Sequence, residues 1–179
     1  MTVREIVTSE NPLLRKRSNK VRQFDENLQE LVDDMFETLH AYRGLGLAAP
    51  QIGVLQRVFV VELPAEYDEE GNETAPLEQY VFVNPEITRM RGEEEMEEGC
   101  LSVPGYRGVV KRATLVHIKG QGMNGRPFRV RATGLLAEVF QHEFDHLEGI
   151  LYLDRLVSPE KLFRIPVGEE EANETVMAD

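Results

Sequence analysis

The sequence predicts an α+β fold: antiparallel or mixed sheets packed around a central helix that carries His142-Glu143-Phe144-Asp145-His146. Three observations support this. The 179 residues are 41% apolar, enough for one domain with a real core. Helical periodicity is confined to two segments, one early and one late. Between them lie short runs of β-branched and aromatic residues separated by turn signals. That order suits a sheet of sequential strands with its helices set apart from it.

The first helix is expected from about Glu26 to Arg43. Asp25 can cap its start, Leu28, Leu31, Val32, Met35, Phe36 and Leu39 form one apolar stripe, and Gly44 supplies a stop. A small-residue loop follows, Gly44-Leu45-Gly46-Leu47-Ala48-Ala49-Pro50-Gln51. Strand signals cover Val58 to Leu63, Tyr80 to Val83 and Thr114 to Lys119, while Glu66 to Pro76 reads as an exposed loop. Asn124-Gly125 marks a hairpin turn with Phe128 to Arg131 as the return strand. The second helix is expected from about Gly134 to Leu147, stopping near Gly149. No repeat or linker interrupts the chain, so residues 1–165 are expected to form a single catalytic domain and 166–179 a short, flexible acidic tail.

The net charge of −12 is local. Residues 66–73, 93–98 and 169–179 hold 15 of the 32 acids, and the remainder carries 20 basic and 17 acidic residues. This argues against a broad nucleic-acid-binding face, so no direct nucleic-acid binding is expected. No apolar run approaches the roughly 18 residues of a membrane helix, and no membrane association is expected. The N-terminus resembles neither a secretory signal nor a transit peptide. One cysteine, Cys100, forbids an intrachain disulfide and fits a reducing compartment. The expected location is the cytoplasm.

The chemistry centres on the second helix. His142 and His146 stand at i and i+4, so both imidazoles can reach one metal ion. Glu143 can reach water at that ion without ligating it. The alternative is a pair of surface histidines, but the apolar Leu135, Leu136, Val139 and Phe140 imply a largely buried helix, where unpaired histidines are costly. A catalytic site usually needs a third ligand. The candidates are Cys100, in a turn with Gly99 and Pro104, an acid such as Asp154, or His117. A lone cysteine is otherwise more often a buried small hydrophobe; His117, within a strand, and His40 read as structural.

Gly44 to Gln51, Glu98-Gly99-Cys100-Leu101-Ser102 and Gln141 to His146 resemble, in order and spacing, the three signature motifs of the peptide deformylases, and the resemblance runs from about residue 3 to 157. It implies a metal held by Cys100, His142 and His146, with Fe2+ the usual ion and Zn2+ or Ni2+ able to replace it. It also implies hydrolysis of the N-formyl group from the initiator methionine of newly made proteins, releasing formate. In that reading the Gln51 side chain and the Leu101 backbone N–H stabilise the oxyanion, and Glu143 moves the proton. Gly44 and Gly46 allow close backbone approach to the substrate. Gln51 alone reads equally as a turn residue; the resemblance tips it towards function. N-formylmethionyl nascent peptides are the implied partners. Some relatives contact the ribosome through a long basic C-terminal helix, so transient ribosome contact is also implied, although the acidic 168–179 segment offers little for that route.

A small zinc endopeptidase shares the two-histidine, one-glutamate helix, but its third ligand usually lies downstream. A structural Cys-His-His zinc domain would need a fourth protein ligand, and none is evident. Two further expectations concern charge. Asp145 is expected to pair with an arginine such as Arg112. Glu138, on one helical stripe with His142 and His146, either pairs with Arg131 or Arg107 or joins the 93–98 glutamates in an acidic cleft mouth.

Overall fold

A computed structural model describes residues 1–165; the acidic tail expected over 166–179 lies outside the described residues. Helix α1 runs Glu26–Ala41, and Asp25 caps it by accepting from the Leu28 N–H at 3.2 Å. It stops two residues before its expected end. Arg43, not Gly44, adopts the left-handed conformation (φ 51°), while the Gly44 N–H bonds back to the Leu39 carbonyl at 3.0 Å.

Strands β1 (Gly46–Ala48), β2 (Val58–Leu63), β3 (Glu66–Tyr67), β4 (Glu73–Ala75), β5 (Glu78–Arg91), β6 (Glu94–Gly99), β7 (Tyr106–Arg112), β8 (Leu115–Gln121) and β9 (Pro127–Thr133) follow, then helix α2 (Gly134–Leu147) and strand β10 (Leu162–Arg164). The main sheet has the order β1-β2-β5-β8-β9, a second has β10-β7-β6, and every pairing is antiparallel. The fold is therefore α+β. The segment read as a loop at 66–76 contains the small β3–β4 hairpin.

Strand β5 extends eight residues beyond Val83. Asn84 (φ 51°) and Pro85 break its register as a bulge, which is the signal that would end a strand read from sequence. The Asn84 side chain compensates by bonding both the N–H and the carbonyl of Val21 at 2.9 Å. At the other hairpin, Gly125 takes φ 74° and its N–H bonds the Gly122 carbonyl.

The two faces of the main sheet have different coverings. Phe59, Val61, Phe82, Val116 and Ile118 pack against Ala137, Phe140 and Leu147 of α2. Val58, Val60 and Val83 on the opposite face pack with Val32, Met35 and Leu39 of α1. A third cluster, Val103, Val110 and Tyr152, joins the small sheet to the segment after α2. Buried Arg57 holds the end of α2. It pairs with Glu148 at 2.6 Å and lies over the Phe144 ring, placing a cation at the negative helix terminus.

Candidate metal centre

Helix geometry sets two corners of the site. His142 and His146 are one turn apart with ring centroids 5.0 Å from each other. The third corner is Cys100, where β6 ends and a tight turn begins, closed by the Val103 N–H on the Cys100 carbonyl at 2.9 Å. One donor atom from each of Cys100, His142 and His146 lies within 4.8 Å of the others. Cys100 Sγ stands 3.3 Å from His146 Nε2. The other third-ligand candidates are elsewhere. Asp154 bonds Arg15 and the Leu151 N–H, and His117 lies on β8 opposite Arg89 and Arg131. His40 pairs with Glu62 at 2.9 Å.

His142 is held from behind. Its Nδ1–H donates to Glu98 Oε2 at 2.8 Å, which turns Nε2 towards the cluster, and its ring stacks on Tyr152. Glu98 is buried and accepts two further bonds from Arg112, at 2.6 and 2.9 Å. Burial works to raise its pKa, but the Arg112 and His142 hydrogen bonds hold it down at about 2. Arg112 also donates to Asp145 at 2.6 Å, and Asp145 accepts two bonds from Arg155. The expected Asp145–Arg112 pair is present; Arg155 and the inward Glu98 are additions to it. Strand alternation was the available signal for Glu98, since Met96 and Glu98 share the inward face of β6 while Glu95 and Glu97 are exposed.

Gln51 sits in the one-turn helix Ala49–Ile52. Its Oε1 accepts from the Ala48 N–H at 2.9 Å, which aims Nε2 at Ser102 Oγ (3.3 Å) and Cys100 Sγ (3.7 Å). An extended N-terminal segment ties the two motif loops together: the Val7 N–H donates to the Gln51 carbonyl and the Ser9 N–H to the Ser102 carbonyl, both at 2.8 Å.

Glu143 is buried, and its Oε2 has no hydrogen-bond partner among the described residues. Burial pushes its pKa up to about 7 against the pull of His142, with Glu98 adding to the rise. Gly46 makes room for it: a β-carbon there would stand 2.5 Å from Glu143 Oε1. Gly46, Gln51, Cys100, Leu101, His142 and Glu143 line one cleft of about 720 Å³. Glu138 lines the same cleft but makes neither expected ion pair. Arg107 grips Glu97 at 2.7 Å, and Arg131 lies on the outer side of the main sheet. Burial, then the Glu98 charge, push the Glu138 pKa up to about 7.

The donor set fits a single divalent ion. One thiol and two imidazoles converge, one imidazole is oriented by a carboxylate, and two of the three donor residues, Cys100 and His142, line the cleft.

The family model for polypeptide deformylase matches residues 3–162. The chain is 48% identical over 174 residues to a peptide deformylase of Thermomicrobium roseum, covering 97% of each protein. Among solved structures it is similar to a peptide deformylase from Legionella pneumophila (TM-score 0.78, 48% identity, 89% of each chain). It is also similar to one from Thermotoga maritima (TM-score 0.79, 38% identity, 88% of this chain and 100% of that one).

Proposed function

The chain belongs to the polypeptide deformylase family, hydrolases that remove the N-formyl group from nascent peptides, and we propose how its own residues divide that work. Cys100, His142 and His146 would hold one Fe2+ ion, for which a thiolate with two neutral imidazoles is a suitable set; Zn2+ or Ni2+ could take its place. Bound there, the ion supplies a Lewis acid that polarises a carbonyl and acidifies water.

Glu143 takes a proton from water and returns it to the leaving amine. A carboxyl pushed up to about 7 is suited to both transfers near neutral pH. The Gln51 Nε2–H and the Leu101 backbone N–H donate to the formyl oxygen as it gains charge. Gly46 keeps a side chain out of the Glu143 carboxylate, and β1, an edge strand beside the cleft, offers its backbone to an extended peptide. Leu135 and Val139 give the cleft an apolar wall for the methionine side chain. The substrates are formyl-methionyl ends of nascent chains in the cytoplasm. No helix among the described residues is long and apolar enough to cross a membrane.

The observation that carries this reading is the convergence of three ligand atoms within 4.8 Å, with the Glu143 carboxylate lining the same cleft. The test combines metal content with formate release from a formyl-Met peptide. One equivalent of metal with formate release is expected, and Cys100→Ser should lose both, because a serine hydroxyl does not deprotonate near neutral pH as a coordinated thiol does. Internal cleavage of unformylated peptides without formate would put an endopeptidase in its place. Retention of one metal equivalent by the Cys100→Ser variant through dialysis against a mild chelator would remove Cys100 from the ligand set.

A further inference from the structure

Strand pairing gathers positive charge that is scattered along the sequence. Helix α1 covers the β1–β2 half of one face of the main sheet. On the far half of that face the register sets Arg89 opposite His117 and His117 opposite Arg131. The next row pairs Glu86 with Lys119 and Lys119 with Arg129, and the row on the other side begins with Arg91. Arg89, Arg91, Arg129 and Arg131 are exposed, and Lys119 and His117 are half-buried between them. Lys119 pairs with Glu86 at 3.0 Å; among the described residues, none of those four arginines has an acidic partner within 4 Å. We propose that this basic half of the sheet docks the phosphate backbone of double-helical RNA.

Like charges directly opposite one another weaken a sheet, and the β8–β9 pair carries Lys119 against Arg129. A fold that tolerates that cost has a use for concentrated charge. Phosphate neutralisation is that use, and arginine suits it because its planar fork binds phosphate oxygens in pairs. The face has no Phe, Tyr or Trp at the Arg89, Arg91, Leu115, His117, Lys119, Arg129, Arg131 or Thr133 positions, and its one imidazole, His117, is half-buried, so it offers no broad platform for stacking unpaired bases. Backbone contact with a duplex remains. The acidic β3–β4 hairpin sits at the opposite end of β5, roughly 30 Å from Arg89 along the strand, several times the Debye length of about 8 Å at physiological salt. Acidic β6 follows Arg91 in the chain, and there Glu93 is paired with Lys111. Helix α2 packs on the other face of the sheet, so a bound duplex and a peptide in the cleft do not compete for the same surface.

The test is fluorescence anisotropy with a labelled 20-base-pair RNA duplex and the full-length, metal-loaded protein. If the four unpaired arginines each neutralise one phosphate, the log–log slope against salt is about −3 to −4, a loss of about 100-fold between 50 and 200 mM. Arg129→Glu/Arg131→Glu and, on another strand, Arg89→Glu/Arg91→Glu should each weaken binding at 50 mM salt by at least about tenfold. Both should keep wild-type kcat/KM on a short formyl-Met peptide, which shows that the variants are folded. Absence of binding at 50 mM salt, or binding unchanged by both charge reversals, would overturn the proposal. Competition by polyglutamate as effective as by unlabelled RNA would assign the face to acidic proteins instead and overturn it equally.

Discussion

Replacing Arg112 with methionine would strand a carboxylate more than it would delete a contact. Arg112 is 4% exposed and holds Glu98 through two bonds of 2.6 and 2.9 Å and Asp145 through one of 2.6 Å. Without it Asp145 keeps two bonds from Arg155, at 3.1 and 2.9 Å, whereas Glu98, itself 3% exposed, keeps only His142. Methionine replaces the aliphatic stem and leaves the charge unanswered. Breaking one partner of a buried pair costs about 3–5 kcal/mol; because Asp145 stays paired, the lower end, about 3 kcal/mol, is expected. At about 2–4 °C per kcal/mol for a domain of this size, Tm should fall by about 6–12 °C. The measurement belongs on metal-free protein, so that lost ligand binding does not add to it. A second effect follows at the ligand, because a Glu98 that takes up a proton no longer orients His142. Metal affinity, read by chelator competition, should drop about 10–100-fold. Arg155→Met is the control: its side chain is 44% exposed and Asp145 would retain Arg112, so a loss of about 1 kcal/mol or less is expected. A metal-free Tm for Arg112→Met within about 2 °C of wild type, with unchanged metal affinity, would refute the argument.

Gly46→Ala should lower kcat/KM by about 100-fold or more while the protein keeps its metal, since the new methyl would stand 2.5 Å from Glu143 Oε1 and displace the carboxylate; full activity would show that Glu143 tolerates the shift. At pH 8 and low salt, formyl-Met peptides with Lys or Arg after the methionine should outperform those with Glu, because Glu138 and Glu97 line the cleft. Glu138 is charged above its value of about 7 and neutral below it, with Arg107, Arg112 and His142 opposing and Glu98 reinforcing the rise. The preference should therefore shrink towards pH 6, with added salt, and in Glu138→Lys; equal rates at pH 8 would remove the idea. Asp34 bonds the Thr2 N–H and Arg4, which hold its carboxyl below the usual range although burial pulls the other way. A lowered carboxyl contributes stability above its unfolded pKa of about 3.9 and loses it as pH falls through the folded value. The Tm gap between wild type and Asp34→Asn should be open at pH 7 and close below about pH 4, and a gap of the same size at pH 3 would count against the pairing.

Legibility in the sequence followed the range of the interactions. The second helix was readable to its ends, Gly134 and Leu147, because apolar periodicity is local. So was β2, four of whose six residues are buried and apolar. The small sheet was not visible: β6 is four glutamates, a methionine and a glycine, and it is a strand because β7 pairs with it residue by residue from Glu94–Arg112 to Gly99–Arg107. The end of α1 was misplaced because a glycine usually takes the left-handed position; here Arg43 takes it, and Gly44 is needed for space, since a β-carbon there would stand 2.9 Å from Leu39. The Cys100–His142–His146 cluster was legible through His142 and His146, whose spacing is local. Cys100 entered through a motif, and Glu98 was hidden inside an acidic run whose other members face solvent. The basic half-sheet was invisible for the same reason as β6: no window of sequence holds its charges together.

The two bonds from the N-terminal segment give the first residues of the chain an unusual position in its dynamics. Chain ends ordinarily exchange their amide protons fastest, because they open without disturbing anything else. Here the Val7 and Ser9 protons are committed to carbonyls of Gln51 and Ser102, residues on separate motif loops that meet at the cysteine corner. Releasing either proton to solvent requires the strap to lift from a loop that frames the cleft. Their exchange rates therefore act as a clock on excursions of that frame, and a ligand that tightens the cleft slows hydrogen exchange at residues 7 and 9, far from where a terminus would be expected to report it.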